Sequence, residues 1–525
     1  MFKVILSILL LVSVYEGVSQ NQNVSQSAVF DGEPYMAVDP SNSSHIVVAW
    51  MGWKLNQGIV IKTKYSLNGG VTWSVENALP HLFSGNTSAD PSIAFNSLGD
   101  VFVCYIDYDN NVMASSNGAV YTVKSVDGGA TWMAPVESIS IADCSNEYCI
   151  DRPWMVIDNS GGVNDGTIYI TAMNADRNVS APYNPYLSVS SDGGVSYVNP
   201  RFLDSVNFLS GSLIPQPMPS PAVSANGDFI AVYPSFMASQ SPLAHYYMAK
   251  SSDKGGSLQH TTALSLASGF PTDAYAKNGH LLISDPSDDN HYVVLYISIA
   301  NGDQDVMLVE TNDGGLNWSA AVRVNKDAIG NGVMQDLVWA DFDTDGDLVV
   351  SWRDRRNGLG TGFEVDSEIY ASVKWKDSLT FSSDFPVSDV LAAYDTILEG
   401  KANDFMNVQL QNDTLMAVWG DVRNGKMTIW FNRMDLVSGV SFVSEVTSNK
   451  FIKLYPNPAS NILTFIEIES GNRILIQDIN GRFIFDKEVS SSSFDVNVSD
   501  WSEGIYMVQI IDGDLLRTGR FVIER

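Results

Sequence analysis

Carboxylates and arginines gather at the entries of a series of short apolar runs in this chain, a combination that can supply acid–base catalysis and hold an anionic group. Glu33, Asp90, Asp151, Asp336 and Asp404 each stand just before such a run, Arg152 follows Asp151, and Met218 and Asn278 fill the corresponding places elsewhere. Two carboxyl groups placed across a glycosidic bond supply the acid and the base, or the nucleophile, that hydrolysis requires. Glu33, Asp90, Asp151 and Asp336 are therefore the candidate catalytic acids. A guanidinium fork matches a carboxylate in shape and charge, which makes Arg152, Arg353, Arg356 and Arg423 the candidates for holding an anionic sugar. Asp also caps tight turns well, so each carboxylate has a purely structural alternative. Tyr35 and Tyr370 offer hydroxyls for a nucleophile, although an aromatic side chain in a strand is far more often core.

Two other groupings bear on chemistry. Trp352-Arg-Asp-Arg-Arg-Asn-Gly358 and Trp419-Gly-Asp-Val-Arg-Asn-Gly425 share W-x-D-x-R-N-G. Repetition favours a turn stapled by Asp354 with Arg356, and by Asp421 with Arg423, over a binding role. Asp341, Asp343, Asp345 and Asp347 form a D-x-D-x-D-G run that suits a structural calcium, or a plain Asp/Gly hairpin, since Trp352 stands where a calcium loop places its bidentate Glu. No other cofactor is required. The three cysteines and six histidines lack zinc-ligand spacing. Cys144 and Cys149 can close a small disulfide ring in an exported protein, and Cys104 lies in an apolar strand.

The elements that position these residues come from a repeat. Short turns begin at Ser66, Ser125, Ser190, Ser251 and Thr311, about sixty residues apart, each with Asn68, Asp127, Asp192, Asp253 or Asp313 two positions on. The first, second and fifth end in Trp73, Trp132 and Trp318, the third in Tyr197, and the fourth is degenerate. The acid can bond back to its own backbone and glycine supplies positive φ, as a tight hairpin needs. Extending the period places two more units near 372 and 432, where the turns have decayed, so seven units of four short strands are expected. Entry residues and strand-two loops then share one face around a central funnel, the usual ligand site of such rings.

The turn pattern S-x-D-x-G-x-x-W resembles the Asp-box of sialidases and related β-propellers. The resemblance implies an all-β propeller, seven blades preferred and six the alternative, with the boxes shaping blades away from the chemistry. It also implies a glycan or glycoprotein ligand, bound or hydrolysed. A sialidase would clamp its substrate carboxylate with three arginines, and the family's Arg-Ile-Pro signature is absent here. The alternative is a non-catalytic propeller binding glycans or proteins at the cell surface.

Residues 1–19 have the charged start, apolar centre and small-residue end of a signal peptide. No other apolar stretch reaches the roughly 18 to 20 residues that span a bilayer, so no transmembrane anchor is expected. From about Ser448 the pattern changes. Leu454-Tyr-Pro-Asn-Pro-Ala-Ser-Asn461, Ile476-Gln-Asp-Ile-Asn-Gly-Arg482 and Gly504-Ile-Tyr-Met-Val508 resemble the type A sorting domain of the type IX secretion system of Bacteroidota bacteria. The expected organisation is a propeller over 20–447 and a small β-sandwich sorting domain over 448–525. The secretion machinery is then a partner, and the destination is the cell surface or the medium. With 60 acidic and 30 basic residues the net charge is −30, which argues against nucleic acid and anionic membranes as partners.

Overall fold

The computed structural model describes residues 21–109, 118–144, 149–174, 183–211, 213–214, 217–266, 279–394, 403–436, 452–466, 468, 470–478, 482–512 and 515–525. The expected signal segment, Asn278 and the expected boundary near Ser448 lie outside them. The chain divides into two compact units, Met1–Val440 and Ser441–Arg525.

The first unit holds seven four-stranded antiparallel sheets. The first consists of Asp31–Asp39, Asn42–Lys54, Gly58–Ser66 and Asn77–Ala78 in that order. Its second strand is buried without a break from Ile46 to Met51, because both faces of each sheet are covered by neighbours. The innermost strands of successive sheets, Asp31–Asp39, Thr87–Phe95, Asp151–Ile157, Ser220–Val223, His280–Ser284, Gln335–Phe342 and Asn407–Gln411, lie side by side, the last beside the first. The ring is a β-propeller of seven blades, the number preferred from the repeat. Its seventh blade is completed by a strand from early in the sequence, Gln22–Asn23, paired with Thr428–Asp435.

The boxes act between blades. In the second, Ser125 Oγ donates to Asp127 Oδ1 at 2.7 Å and accepts from Gly129 N at 2.8 Å. Asp127 then takes the amide and hydroxyl of Thr131 at 2.8 and 2.6 Å. The same bonds recur around Asn68, Asp192, Asp253 and Asp313. Each box leans on the blade before it: Trp132 Nε1 donates to Thr63 Oγ1 of the first blade at 3.1 Å. Gly70, at φ +85°, sits where a Cβ would strike Phe431 of the seventh.

Bonds from the residue four places on, Thr131, Ser196, Ser257 and Asn317, hold the four box aspartates at a pKa of about 2. That lies below the unfolded value of about 3.9, so their contribution to stability is full above about pH 4 and is lost as pH falls towards 2. Thermal melting followed from pH 5 to 2 should decline over that window, and less steeply after Asp127→Asn. An unchanged decline in the variant would show that the boxes are not the groups titrating.

Where boxes have decayed, other acids take over the blade contacts. Asp341 Oδ2 accepts from Leu410 N, and Asp343 Oδ2 from Asp413 N, both at 2.9 Å and both tying the seventh blade to the sixth. Asp347 Oδ1 accepts from Lys376 N at 2.6 Å, while Asp345 is exposed. Three of the four carboxylates thus take different amides instead of converging as a calcium loop would require, and no cluster of three or more metal-binding side chains occurs among the described residues.

Cys144 and Cys149 are joined as a disulfide, and Cys104 is buried. In the second unit a three-stranded sheet (Lys453–Tyr455, Ile462–Ile466, Ser493–Asn497) faces a four-stranded one (Phe483–Glu488, Arg473–Asp478, Gly504–Asp512, Leu515–Ile523). Alternate residues such as Leu463 and Phe465 from one sheet, and Ile474, Ile476 and Val508 from the other, fill a shared core.

Candidate functional site

A repeated irregularity in the innermost strands builds the funnel mouth. Pairing to the second strand slips between Gly32 and Tyr35, Ala89 and Ser92, Asp151 and Trp154, and Asp336 and Trp339. Inside each slip one non-glycine residue has positive φ: Glu33 (53°), Asp90 (50°), Arg152 (47°) and Leu337 (54°). Such strain persists where the surrounding structure imposes it, often at functional sites. Asn403, preceding the seventh innermost strand, has φ 121°.

Two residues past four of these positions, all but Asp90, an aromatic side chain turns inward. Tyr35 meets Trp339 at 5.2 Å between ring centroids, Trp339 meets Trp154 at 5.3 Å, and Trp154 meets Phe405 at 5.9 Å. These rings floor the funnel. Tyr35 is half-buried there beside Asp341, and desolvation raises its pKa, so its hydroxyl is not an activated nucleophile. Tyr370 accepts from Asn357 at 2.9 Å beneath the Arg356 guanidinium, its pKa likewise raised by burial.

Above the floor, Glu33, Asp90, Asp151 and Asp404 surround Arg152. Arg152 Nη2 donates to Asp404 Oδ2 at 2.5 Å, reaching from the third blade to the seventh, and its guanidinium lies 5.6 Å from the Phe405 centroid. Arg152 N donates to Asp90 Oδ2 at 3.3 Å, and Asn403 N to Glu33 Oε1 at 3.3 Å. Glu33 is 3% exposed and its Oε2 receives no donor. Burial first, then the charge of Asp90, push Glu33 and Asp151 well above the usual carboxyl range. Tyr108 is raised to about 12 by burial and by Asp90, Asp151 and Glu33. Burial opposes charge on Arg152, yet Asp404 and the other carboxylates hold its pKa above the ordinary value. Three of the four candidate acids and one of the four candidate arginines therefore meet at the mouth.

Asp336 is elsewhere. It shares the register of Asp151, but it pairs across the ladder with Arg353 where Asp151 pairs with Met173. Arg353 grips it through Nε and Nη2 at 2.8 and 2.5 Å, and Arg355 Nη1 adds a bond at 3.0 Å. Burial works against the charge, but the two guanidiniums overcome it and hold Asp336 well below the usual carboxylate range. It is an ionised anchor, and a general acid is the role it cannot fill.

The other arginines are likewise occupied. Arg356 Nη2 bonds Asp354 at 2.7 Å and Asp384 at 2.8 Å. Arg423 bonds Asp421, Asp389 and Asn21 while lying 4.3 Å from the Trp430 ring centroid. Trp352 and Trp419 each donate to the Asp of their own motif. The shared W-x-D-x-R-N-G is a staple, and no three-arginine clamp assembles from Arg152, Arg353, Arg356 and Arg423.

Sequence reasoning passed over the aromatic floor, whose signal was available as an aromatic two residues after four of the mouth positions. It also missed a Ser88, His81 and Asp107 group beside the second blade's entry. Asp107 Oδ2 lies 2.8 Å from His81 Nδ1, and Ser88 Oγ lies 3.1 Å from the same nitrogen, while Nε2 faces the Gln57 carbonyl at 2.9 Å. A nucleophile and its orienting acid need opposite nitrogens of the base, so this group is a staple and not a triad.

Fold and site together define an exported β-propeller with a carboxyl cluster at its funnel mouth. Residues 453–524 match the family described as secretion system C-terminal sorting domain, which directs the chain across the outer membrane to the cell surface or the medium. A search of curated proteins found no match. Among solved structures the chain is similar to a protein of unknown function from Dyadobacter fermentans, with 14% identity, 67% of this chain and 97% of that one covered, and a TM-score of 0.43. It is also similar to a Hadza microbial sialidase (13% identity, 74% and 77% covered, TM-score 0.44) and to the α-L-arabinofuranosidase of Fusarium graminearum (12% identity, 80% and 98% covered, TM-score 0.41).

Proposed function

We propose that the protein is an exported glycoside hydrolase acting at the funnel mouth on a glycan that carries no acidic group. The observation that carries this reading is the gathering of carboxyl groups around Arg152 at the mouth, where Asp90 accepts from the Arg152 amide and Asp404 from its guanidinium. Glu33 and Asp151 are pushed towards their protonated forms beside Asp90. A carboxyl group held in its protonated form by burial can donate a proton to a leaving group, and a second carboxyl group beside it can act as base or nucleophile. Glu33 or Asp151 is then the general acid and Asp90 its partner. Sialosides are disfavoured because Arg353, Arg356 and Arg423 are committed to internal carboxylates.

The test is a panel of fluorogenic glycosides, uncharged and sialylated, incubated with the full chain and with Asp90→Asn and Glu33→Gln. Turnover of an uncharged glycoside is expected, falling about 10²- to 10⁴-fold in either variant while the melting temperature holds. Turnover unaffected by both variants would remove the cluster from the mechanism. Silence across the panel together with glycan binding would establish the second reading, a recognition propeller, which the internal pairing of those three arginines favours.

A further inference from the structure

We propose that a pocket between the sixth and seventh blades, opening beside the funnel mouth, is a subsite for a second, uncharged sugar residue of the same glycan. The inference rests on the mouth being the glycan site and adds a neighbouring position and the charge of the residue it takes. The pocket is a cleft of about 490 Å³, open to solvent. It arises from a difference within the W-x-D-x-R-N-G pair. The sixth blade places Arg353 after the motif's Trp, and that side chain fills its space by gripping Asp336. The seventh blade has Gly420 at the same place, where a Cβ would stand 2.7 Å from Asn403 Oδ1 and 3.0 Å from Met427 Sδ. Asn403 Nδ2 donates to Gly420 O at 3.1 Å, and the room an arginine would take is left open.

One residue joins the pocket to the mouth. The Asn403 amide donates to Glu33 Oε1 at 3.3 Å while Asn403 lines the pocket, and the next residue, Asp404, accepts from Arg152. The lining suits hydroxyl groups. Asn403 Oδ1 is buried and receives no donor, and Ser388 Oγ, which accepts from Ile369 N at 2.9 Å, donates to nothing among the described residues. A sugar hydroxyl both donates and accepts, directly or through one water, so it can serve both. The charged side chains of the wall already have partners: Arg353 holds Asp336, Asp421 holds Arg423, and Glu368 accepts from Asn357 at 2.6 Å. An ionic ligand would have to draw them away, whereas a neutral one leaves them in place. Ile369, Ala392 and Val422 give the pocket an apolar side for the C–H face of the sugar ring.

Calorimetry on the full chain, which registers binding and turnover alike, tests this with xylose, arabinose, glucose and mannose oligosaccharides of one to four residues. In at least one series the affinity is expected to rise about tenfold between one residue and two or three, the worth of one or two net hydrogen bonds. Asn403→Gly, which suits the positive φ there, and Ala393→Trp, which fills the pocket from its exposed rim, should each remove that gain, with melting temperatures as the check on folding. A gain that survives either variant would overturn the subsite, as would no rise with length or no binding in any series. Binding lost in Asp90→Asn, but with a length gain that both pocket variants keep, would retain the mouth and strike the pocket. A gain abolished by both pocket variants while Asp90→Asn changes nothing would retain the pocket and strike the mouth. Tighter binding of galacturonic acid oligomers than of any neutral series would overturn the uncharged class.

Discussion

Asp336→Ala should destabilise the protein by about 3 to 5 kcal/mol, the range for stranding one side of a buried ion pair. Arg353 and Arg355 are 7% and 2% exposed, and Asp336 accepts from both. Arg355 also gives Nε to the Phe363 carbonyl at 2.8 Å and lies 4.3 Å from the Phe363 ring centroid, so it cannot swing out to water without losing those contacts as well. Removing the carboxylate takes from both buried guanidiniums the charge they share. Asp336→Asn keeps the shape and loses the charge, and should cost nearly as much. The urea midpoint measures this best, since urea leaves electrostatics unscreened. A loss below about 1 kcal/mol would mean that water reaches the arginines and replaces the carboxylate.

Asp151 provides the internal comparison. It occupies the same register but faces Met173, and burial beside Asp90 raises its pKa where Asp336 is lowered. Asp151→Asn should therefore be near neutral for stability, or stabilising, while lowering any turnover at the mouth. One strand position thus serves as an anchor in the sixth blade and as part of the site in the third, decided by the residue across the ladder.

That dependence explains what the sequence did and did not disclose. The five box turns, the inner strands and the seven-unit period were legible because each rests on local chemistry: a self-bonding acid, a positive-φ glycine and a short apolar run. The W-x-D-x-R-N-G staples were legible for the same reason, since Asp354 and Arg356 are two residues apart. Asp336 and Asp151 looked alike because the cross-strand partner is set by a β-bulge that spacing does not reveal. Arg152 and Asp404 are 252 residues apart, and only ring closure brings them together. The Asp341 to Asp347 run has the local form of a cation loop, but its carboxylates go to amides of Leu410, Asp413 and Lys376, partners that become visible only once blades are packed.

Deleting residues 21–24 should cost at least about 4 kcal/mol, from one fully buried Val at about 1.5 to 3 kcal/mol and several net hydrogen bonds at about 0.5 to 1.5 kcal/mol each. Val24 is 1% exposed, in a cluster with Val48 and Trp50 of the first blade and Val418 and Phe431 of the seventh. Its amide donates to Ile429 O at 2.8 Å, and Lys64 Nζ donates to its carbonyl at 2.8 Å. Asn21 exchanges bonds with Asp389 of the sixth blade at 3.1 and 2.8 Å, and Arg423 Nη1 donates to Asn21 Oδ1 at 3.0 Å. Four residues therefore hold the first, sixth and seventh blades together across nearly the whole propeller sequence. The deletion should lower the urea midpoint and speed hydrogen exchange in Thr428–Asp435, and a peptide of residues 21–26 added in trans should restore protection by supplying the missing strand. Unchanged exchange would show that blade-to-blade packing closes the ring without it. Exchange that rises in the seventh blade alone would mean that closure is local, whereas a rise around all seven would mean that the ring opens as one unit, as expected where every blade leans on the one before it.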